Sequence, residues 1–391
     1  MPLPRVPKLL KPRPRPGSGD FSWDHDDYVS GNAVSLYVRG KHLYPAMAAA
    51  IDAARETVHL ETYIFGNDQT GRAFAELLAA RARAGVRVRV IYDSVGSIDL
   101  DPRLVTLMRN SGVQLLEYHP VAPWRPRWAW NKRDHRKILI CDGRAAFIGG
   151  MNLCNEHAPA DHGGGDWRDA HLRIEGPAAL QFDLLFREVW SAETGRWFEP
   201  DGGGADARGP ARVKVAANQE FLKRFVIREA YVNALRAARE EVSIANAYFI
   251  PGLRIRRTLA RAARRGVNVR VMVPGHSDRS AARHAMRAQY DGLLARGVRI
   301  FEWQGPMMHA KAVVVDRAWC SIGTFNLDHR SLQHNLEVNA NVLDRTLAAE
   351  LADIFELGLK GSREITLADW RRRPWMDRVR ESFFQSFDYF F

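Results

Sequence analysis

The sequence predicts an α/β protein made of two similar halves, each a mixed sheet flanked by helices, packed about a pseudo-twofold axis. Three observations predict it: an internal repeat over most of the chain, strands alternating with helices inside each copy, and one pattern of reactive residues that occurs once per copy.

The repeat is read segment by segment. AIDAARETVHLETYIF (Ala50 to Phe65) is the end of a helix running into an apolar strand, and ALRAAREEVSIANAYF (Ala234 to Phe249) repeats it. A helix closed by glycine and followed by a strand comes next, LLAARARAGVRVRVIYD (Leu77 to Asp93) against LARAARRGVNVRVMVP (Leu259 to Pro274). Gly85 and Gly266 fit the left-handed residue that ends a helix. Val86, Val88 and Val90 alternate with polar residues in one copy and Val267, Val269 and Val271 in the other, which is strand periodicity. SGVQLLEY (Ser111 to Tyr118) and RGVRIFEW (Arg296 to Trp303) complete the series.

The predicted organisation is a basic, proline-rich arm (1–19), a first half (20–200), a glycine-rich linker (201–212), a second half (213–360) and a Trp/Arg/Phe-rich tail (361–391). Two copies of one fold packed together create a cleft on the pseudo-twofold axis, with equivalent residues facing each other.

Each copy brings the same chemistry to that cleft. DHRKILICDGRAAFIGGMN holds His135, Lys137, Asp142, Gly149, Gly150 and Asn152; MHAKAVVVDRAWCSIGTFN holds His309, Lys311, Asp316, Gly323 and Asn326. Both have the spacing H-x-K-x4-D-x6-G-x2-N. On a strand, residues two apart point to the same face, so each copy presents an imidazole and an ammonium together. Asp142-Gly143 is a strong turn signal, and for the two aspartates a turn-holding role and a chemical role stand side by side. The glycines let backbone amides approach a phosphate, and the asparagine amides add neutral donors. Two such faces make a phosphodiester site. One neutral histidine attacks phosphorus while the other, protonated, donates to the leaving oxygen, and a second alcohol or water opens the phosphohistidine. Histidine, with an ordinary pKa of about 6.5, reaches both states near neutrality. Lysine and asparagine donors stabilise the non-bridging oxygens, so the chemistry requires no metal and no cofactor.

The doubled H-x-K-x4-D motif resembles the phospholipase D superfamily. Its finer text (LETYIF, NKRDHRKILICDG, GGMN, WRDAHLRIEGPAA, NAYFIP and GTFNLDHRSLQHNLEVN) is similar to the bacterial cardiolipin synthase branch, over roughly residues 32–349. The resemblance implies a phosphatidyl-histidine intermediate: phosphatidylglycerol is attacked, glycerol leaves, and a second phosphatidylglycerol accepts the phosphatidyl group. It implies His135 as nucleophile and His309 as general acid and then base, an order the likeness of the halves leaves open. Lys137, Asp142, Lys311 and Asp316 belong to the catalytic set; Asn152, Asn326, Gly150 and Thr324 are the implied phosphate contacts. Thr324 stands where many relatives have serine. Asp169 and Glu337 are implied to orient the two histidines. The chain resembles the short members of the branch, without N-terminal transmembrane segments.

Composition bounds what else is possible. The chain has 391 residues, 46% apolar and 26% charged, enough for two soluble globular domains, and its net charge of +12 favours anionic partners. Three cysteines, Cys141, Cys154 and Cys320, supply neither a disulfide framework nor a zinc knuckle and indicate a reducing compartment. No apolar stretch is long enough to span a bilayer, so any membrane contact is expected to be peripheral; the resemblance implies the cytoplasmic side of a bacterial inner membrane. The expected partner is an anionic phospholipid, phosphatidylglycerol; nothing in the sequence sets an oligomeric state.

The N-terminal arm, with Arg5, Lys8, Lys11, Arg13 and Arg15, reads equally as a solubilising tail or as a polybasic lipid tether. The insert HPVAPWRPRWAWNKRD, with Trp124, Trp128 and Trp130, suits a headgroup region but also packing on its own domain. DWRRRPWMDRVRESFFQSFDYFF reads first as a helix docked on the second half and second as an interfacial segment. His157, His162 and His171 match no metal-binding spacing and are taken as loop histidines. Competing functions are a phospholipase D giving phosphatidic acid, a nuclease of the same superfamily, and a degenerate lipid-binding copy. No nucleic-acid module supports the nuclease, and two complete motifs oppose the degenerate copy.

Overall fold

A computed structural model describes residues 14–21, 27–129, 131–200, 205–218 and 225–385. In the first half, β1 (Val29–Tyr37), α1 (Gly40–Ala53), β2 (Thr57–Thr62), α2 (Gln69–Arg83), β3 (Arg87–Asp93), α3 (Pro102–Asn110) and β4 (Gln114–Tyr118) alternate. The strands β5 (Arg133–Asp134), β6 (Ile138–Cys141), β7 (Ala145–Gly149) and β8 (His171–Glu175) and the helix α4 (Ala179–Thr194) follow. The second half repeats this order: β9 (Ala211–Asn218), α5 (Val226–Ala237), β10 (Glu241–Asn246), α6 (Leu253–Arg264), β11 (Asn268–Pro274), α7 (Ser280–Arg287), α8 (Tyr290–Leu294), β12 (Arg299–Trp303), β13 (Lys311–Val315), β14 (Trp319–Gly323), α9 (His329–Gln333), β15 (Asn335–Leu343) and α10 (Arg345–Lys360). Three further elements extend it, β16 (Ser362–Ile365), α11 (Leu367–Arg372) and α12 (Trp375–Gln385).

The helices close where the sequence places them. Gly85 and Gly266 have φ of +91° and +90°, a conformation costly for a residue with a Cβ. There the chain turns sharply from α2 into β3 and from α6 into β11.

Each half forms a mixed sheet: β2, β3 and β4 run parallel, while β6, β7, β8 and β1 continue antiparallel, and the second half pairs in the same way. The two sheets are not separate. β1 pairs with β9 across a register shift between Val29 and Asn32, giving one hydrogen-bonded path, β16-β12-β11-β10-β13-β14-β15-β9-β1-β8-β7-β6-β2-β3-β4. The alternation of strand side chains then sorts the core into three layers. Leu139, Phe147 and Val90 face out toward α1, α2 and α3, and Val313, Val271 and Trp319 face out toward α5, α6 and α8. Ile138, Ile148 and Leu172 face inward and share one core with Val314, Ile322 and Val338, together with α4 and α10. This inner core holds the two halves as one body and opens the cleft at one end of it.

Both termini engage the second half, the C-terminal one as its first sequence reading expects. Of the basic arm, residues 1–13 lie outside the described residues, but Gly17 and Gly19 donate to the carbonyls of Arg236 and Ala237, so this end is docked on the second half. In the segment after residue 360, β16 adds an edge strand to β12, and α12 is the docked helix, packed on α7. Trp130, linker residues 201–204 and residues 386–391 also lie outside the described residues.

Candidate active site

Two short backbone bridges between the halves build the site. β5 pairs in parallel with the start of β15, setting Asp134 beside Leu336, and the His135 amide donates to the Leu336 carbonyl at 3.1 Å. The next residue of β15, Glu337, is thereby brought against the His135 ring. The pseudo-equivalent bridge joins Arg168 to Met308, and the His309 amide donates to the Arg168 carbonyl at 2.7 Å, which sets Asp169 against His309.

The carboxylates therefore serve the histidines of the opposite halves. His135 Nδ1–H donates to Glu337 Oε1 at 3.0 Å, and His309 Nδ1–H donates to Asp169 Oδ2 at 2.9 Å. All four side chains are buried, and the pairing leaves each Nε2 as the ring nitrogen available for chemistry. Both imidazoles line one cavity of about 330 Å³ whose walls come from both halves.

Lys137 and Lys311 lie beneath the histidines, their ammonium groups donating to the carbonyls of His135 and His309. Burial pushes the Lys137 ammonium down to about 7 and that of Lys311 down to about 8, against the pull of nearby Glu337 and Asp169. Burial likewise raises Glu337 to about 7 and Asp169 above the usual carboxylate range. Both histidines are held well below their ordinary value, by burial first and then by the lysines.

Their surroundings differ in one respect. Around His135, Arg279 and Arg330 add to the cationic field, whereas Asp278 favours a proton on His309. Asn152 and Asn326 both line the cavity; the Asn152 side-chain oxygen accepts from the Ile64 amide at 3.2 Å, and that of Asn326 is buried with no partner among the described residues.

Four sequence candidates are placed elsewhere. Asp142 and Asp316 sit in the β6–β7 and β13–β14 turns with φ of +52° and +50°. Each accepts three backbone amides from the segment entering the adjacent strand, Arg55, Glu56 and Thr57 for Asp142 and Arg239, Glu240 and Glu241 for Asp316. Of their two sequence roles the structure selects the turn-holding one, because these oxygens are consumed by peptide N–H groups.

Gly150 and Thr324, read as phosphate contacts, are carboxylate supports. The Gly150 amide donates to the Ala170 carbonyl, and a Cβ at this position would lie 2.2 Å from Asp169 Oδ1. Thr324, fully buried, donates from Oγ1 to Glu337 Oε2 at 2.5 Å.

The cavity also holds residues to which the sequence reading assigned no role. Tyr63 stands edge-on to His135 with ring centroids 5.0 Å apart, and Tyr248 stands edge-on to His309 at 6.2 Å. They follow the equivalent strands β2 and β10, in the quoted fragments LETYIF and NAYFIP, but the repeat sets Tyr63 against Ala247 and Tyr248 against Ile64, so it carried no signal that marks them as a pair. Arg279 and Arg330, from sequence outside the shared motif, carried none.

His157 lies in the connection between β7 and β8, as a loop histidine, but it is buried and forms a wall of the cavity, with its ring centroid 5.6 Å from that of His309. His171 is likewise buried, in β8, while the His162 side chain lies outside the described residues. Among the described residues, His157, Asp169 and His309 form a group with ligand atoms within 4.8 Å of one another, the combination here able to hold a metal ion. Such an ion would compete directly for His309.

Comparison with known proteins places this geometry. The family described as cardiolipin synthase, PLD-like domain, matches residues 47–162 and 231–357, one segment in each half. The chain is similar to a cardiolipin synthase of Alkalihalophilus pseudofirmus, 33% identical over 349 residues, covering 88% of this chain and 69% of the relative. It is also similar to cardiolipin synthase B of Escherichia coli O6:H1, 36% identical over 335 residues, covering 83% and 79%. In structure it resembles phosphatidylserine synthase of Haemophilus influenzae with a TM-score of 0.69 at 10% identity, over 93% of this chain and 97% of that one, a likeness of fold.

The crossed pairing is open to direct test by ¹⁵N-histidine NMR. Glu337→Ala is expected to remove the low-field Nδ1–H resonance of His135 and spare that of His309, with Asp169→Ala doing the reverse. Loss of the signal from the histidine in the same half would show that the pairing is wrong.

Proposed function

We propose a reaction for this chain from the premise that it belongs to the cardiolipin synthase family, enzymes of the phospholipase D superfamily built on a PLD-like domain. It transfers a phosphatidyl group from one phosphatidylglycerol to a second, releasing glycerol. The observation that carries this is two imidazoles in one cavity, each held through Nδ1 by a carboxylate of the opposite half.

The halves are unequal where the roles must differ. His135, surrounded by Lys137, Lys311, Arg279 and Arg330, is kept neutral and is the nucleophile. His309 takes the acid role in this reading: burial and the lysines hold it low as well, but Asp278 in its field favours a proton there. The His135 Nε2 lone pair attacks phosphorus; the bond to the glycerol oxygen breaks, and the His309 proton goes to that oxygen. A hydroxyl of the second phosphatidylglycerol then gives its proton to His309, and its oxygen displaces His135 from phosphorus. Lys137, Lys311, Asn152 and Asn326 supply positive charge and donors to the non-bridging oxygens in a water-poor pocket, where such groups act most strongly.

Such an enzyme must meet a bilayer. Among the described residues, no helix is long and apolar enough to cross one. α12 supports peripheral contact at the cytoplasmic face. Its inner side is held by Glu381, which accepts from Arg287 and Arg373, and by Phe384 stacked on His284. Its outer side presents Trp375, Met376 and Val379 at 71%, 51% and 57% exposure, near Arg371, Arg372 and Arg378. An outward apolar stripe beside arginines suits the interface of an anionic membrane. Trp124, 85% exposed in the insert after β4, supports the same reading.

The decisive assay is purified protein with phosphatidylglycerol vesicles, read by mass spectrometry. Cardiolipin plus glycerol is expected; phosphatidic acid alone would reassign the protein as a hydrolase. His135→Ala abolishes turnover. His309→Ala loses about 10²–10⁴-fold, and with a p-nitrophenyl phosphodiester, which needs no acid for departure, it accumulates a phosphohistidine on His135. An adduct on His309 in the His135→Ala protein would reverse the two roles.

Activity is expected to peak close to neutrality. As pH falls through about 7, Glu337 takes a proton and no longer holds His135 as an anion. As pH rises through about 7 to 8, Lys137 and Lys311 lose the charge that offsets the phosphate. Lys137, with the lower value, sets the alkaline limb, so Lys137→Arg, whose guanidinium stays charged, should move that limb upward; an unshifted limb would remove Lys137 from this account.

For α12, the double variant Trp375→Asp/Val379→Asp should reduce flotation with anionic vesicles about tenfold while its circular dichroism is unchanged. Undiminished flotation would exclude this stripe as the contact.

A further inference from the structure

The reactive cavity, at about 330 Å³, is at the low end of the roughly 300–1,000 Å³ range of small-molecule sites. It has room for a phosphodiester and its glycerol, so the fatty-acyl chains of a lipid substrate must leave it. A second, larger concavity of about 660 Å³ lies between the N-terminal halves of α1 and α2.

One loop walls both spaces. Glu156, His157 and Trp167 face the reactive cavity, while Asn155, Ala158 and Asp166 line the groove. The loop is tied to both helices. The Tyr44 hydroxyl of α1 hydrogen-bonds the carbonyls of Asn152 and Cys154 at 2.7 and 3.0 Å. Asp68, the N-cap of α2, accepts from the Asn155 amide at 2.7 Å, and Thr70 donates to the Asn155 side chain at 2.8 Å. The groove is thus pre-formed, and its distance from the phosphate is set by the same loop that presents His157 to His309.

Its walls are mostly apolar, with Pro45 and Ala48 from α1, Ala73 and Leu77 from α2, and Ala158 and Pro159 from the loop, while Lys41, Asp161 and Asp166 bring charge to the lining. Asp166 is paired with Arg39. Small side chains at Ala48 and Ala73 leave open a channel that larger residues at these helix positions would fill.

We infer that the groove between α1 and α2 is the binding site for a fatty-acyl chain of the lipid whose phosphate lies between His135 and His309. This rests on the lipid reading above and adds to it the place where the chain is held. The chain passes over the 155–158 turn and lies along the apolar wall, gaining contact in proportion to its length.

The test uses wild-type protein and phosphatidylglycerol carrying a photoreactive diazirine in one acyl chain. Cross-links mapped by mass spectrometry to residues 40–48 and 69–77 support the site; cross-links confined to other surfaces, with turnover intact, overturn it while leaving the reaction standing. A second arm compares turnover of long-chain phosphatidylglycerol with that of a water-soluble phosphodiester. In Ala73→Trp and Ala48→Trp that ratio is expected to fall about tenfold, the effect of two methylenes losing apolar contact. Ala80→Trp, on α2 but outside the groove, is expected to leave it unchanged. An unchanged ratio in both groove variants overturns the site. If wild-type protein processes the soluble diester but no phospholipid, the lipid reading fails and the groove assignment falls with it.

Discussion

The structure depends on a crossed arrangement of two buried imidazole–carboxylate pairs, His135 with Glu337 and His309 with Asp169. Each pair spans the two halves, so neither half alone contains a completed histidine. In a buried site, removing one partner of such a pair leaves a polar group unsatisfied, at a cost of about 1–3 kcal/mol. The same contact therefore aligns the reactive rings and couples the halves. The two backbone bridges at Leu336 and Arg168 ensure that the pairs form in register. Supports around them follow from this demand: Gly150 leaves space for Asp169, and Thr324 donates to Glu337.

Burying so many ionisable groups in one place has an electrostatic consequence. Two lysines, two histidines and two acids are all moved toward neutrality by desolvation, and several meet near pH 7. That is the range in which proton transfer to and from a substrate is most effective. Duplication supplies a symmetric frame, and the charged groups around the two histidines depart from it. Arg279 and Arg330 bias one side of the cavity, and Asp278, with its carboxylate bound by the Tyr248 hydroxyl, biases the other.

The reactive centre is small and polar, whereas the proposed substrate is mostly hydrocarbon. An arrangement that separates these two requirements appears on the outside of the inner core. An apolar groove adjoins the cavity through one loop, and α12 turns its hydrophobic residues outward while anchoring itself by a buried glutamate. The inner core, shared by both halves, needs no alteration to accommodate either feature.

Local pattern alone was enough to read the duplicated α/β architecture, the glycine-closed helices and the doubled histidine–lysine motif. Period-two valines, the terminal glycines at 85 and 266 and identical spacing are all expressed within a few tens of residues. Asp169 and Glu337 were identified as partners, but not which histidine each serves, since that depends on two bridges between segments 140 and 202 positions apart in the chain. The same limit explains Asp142 and Asp316: reactive types in a reactive motif, they are occupied by amides that only packing brings within reach. It explains His157 and Arg279 as well, which lie outside the repeated motif yet face the cavity. What the sequence by itself determined is the inventory of reactive groups and the fold that duplicates them. Only the tertiary structure decided which groups converge, which are consumed as structural acceptors, and which charged groups surround each of two otherwise equivalent histidines, because burial and long-range proximity have no local signature in the chain.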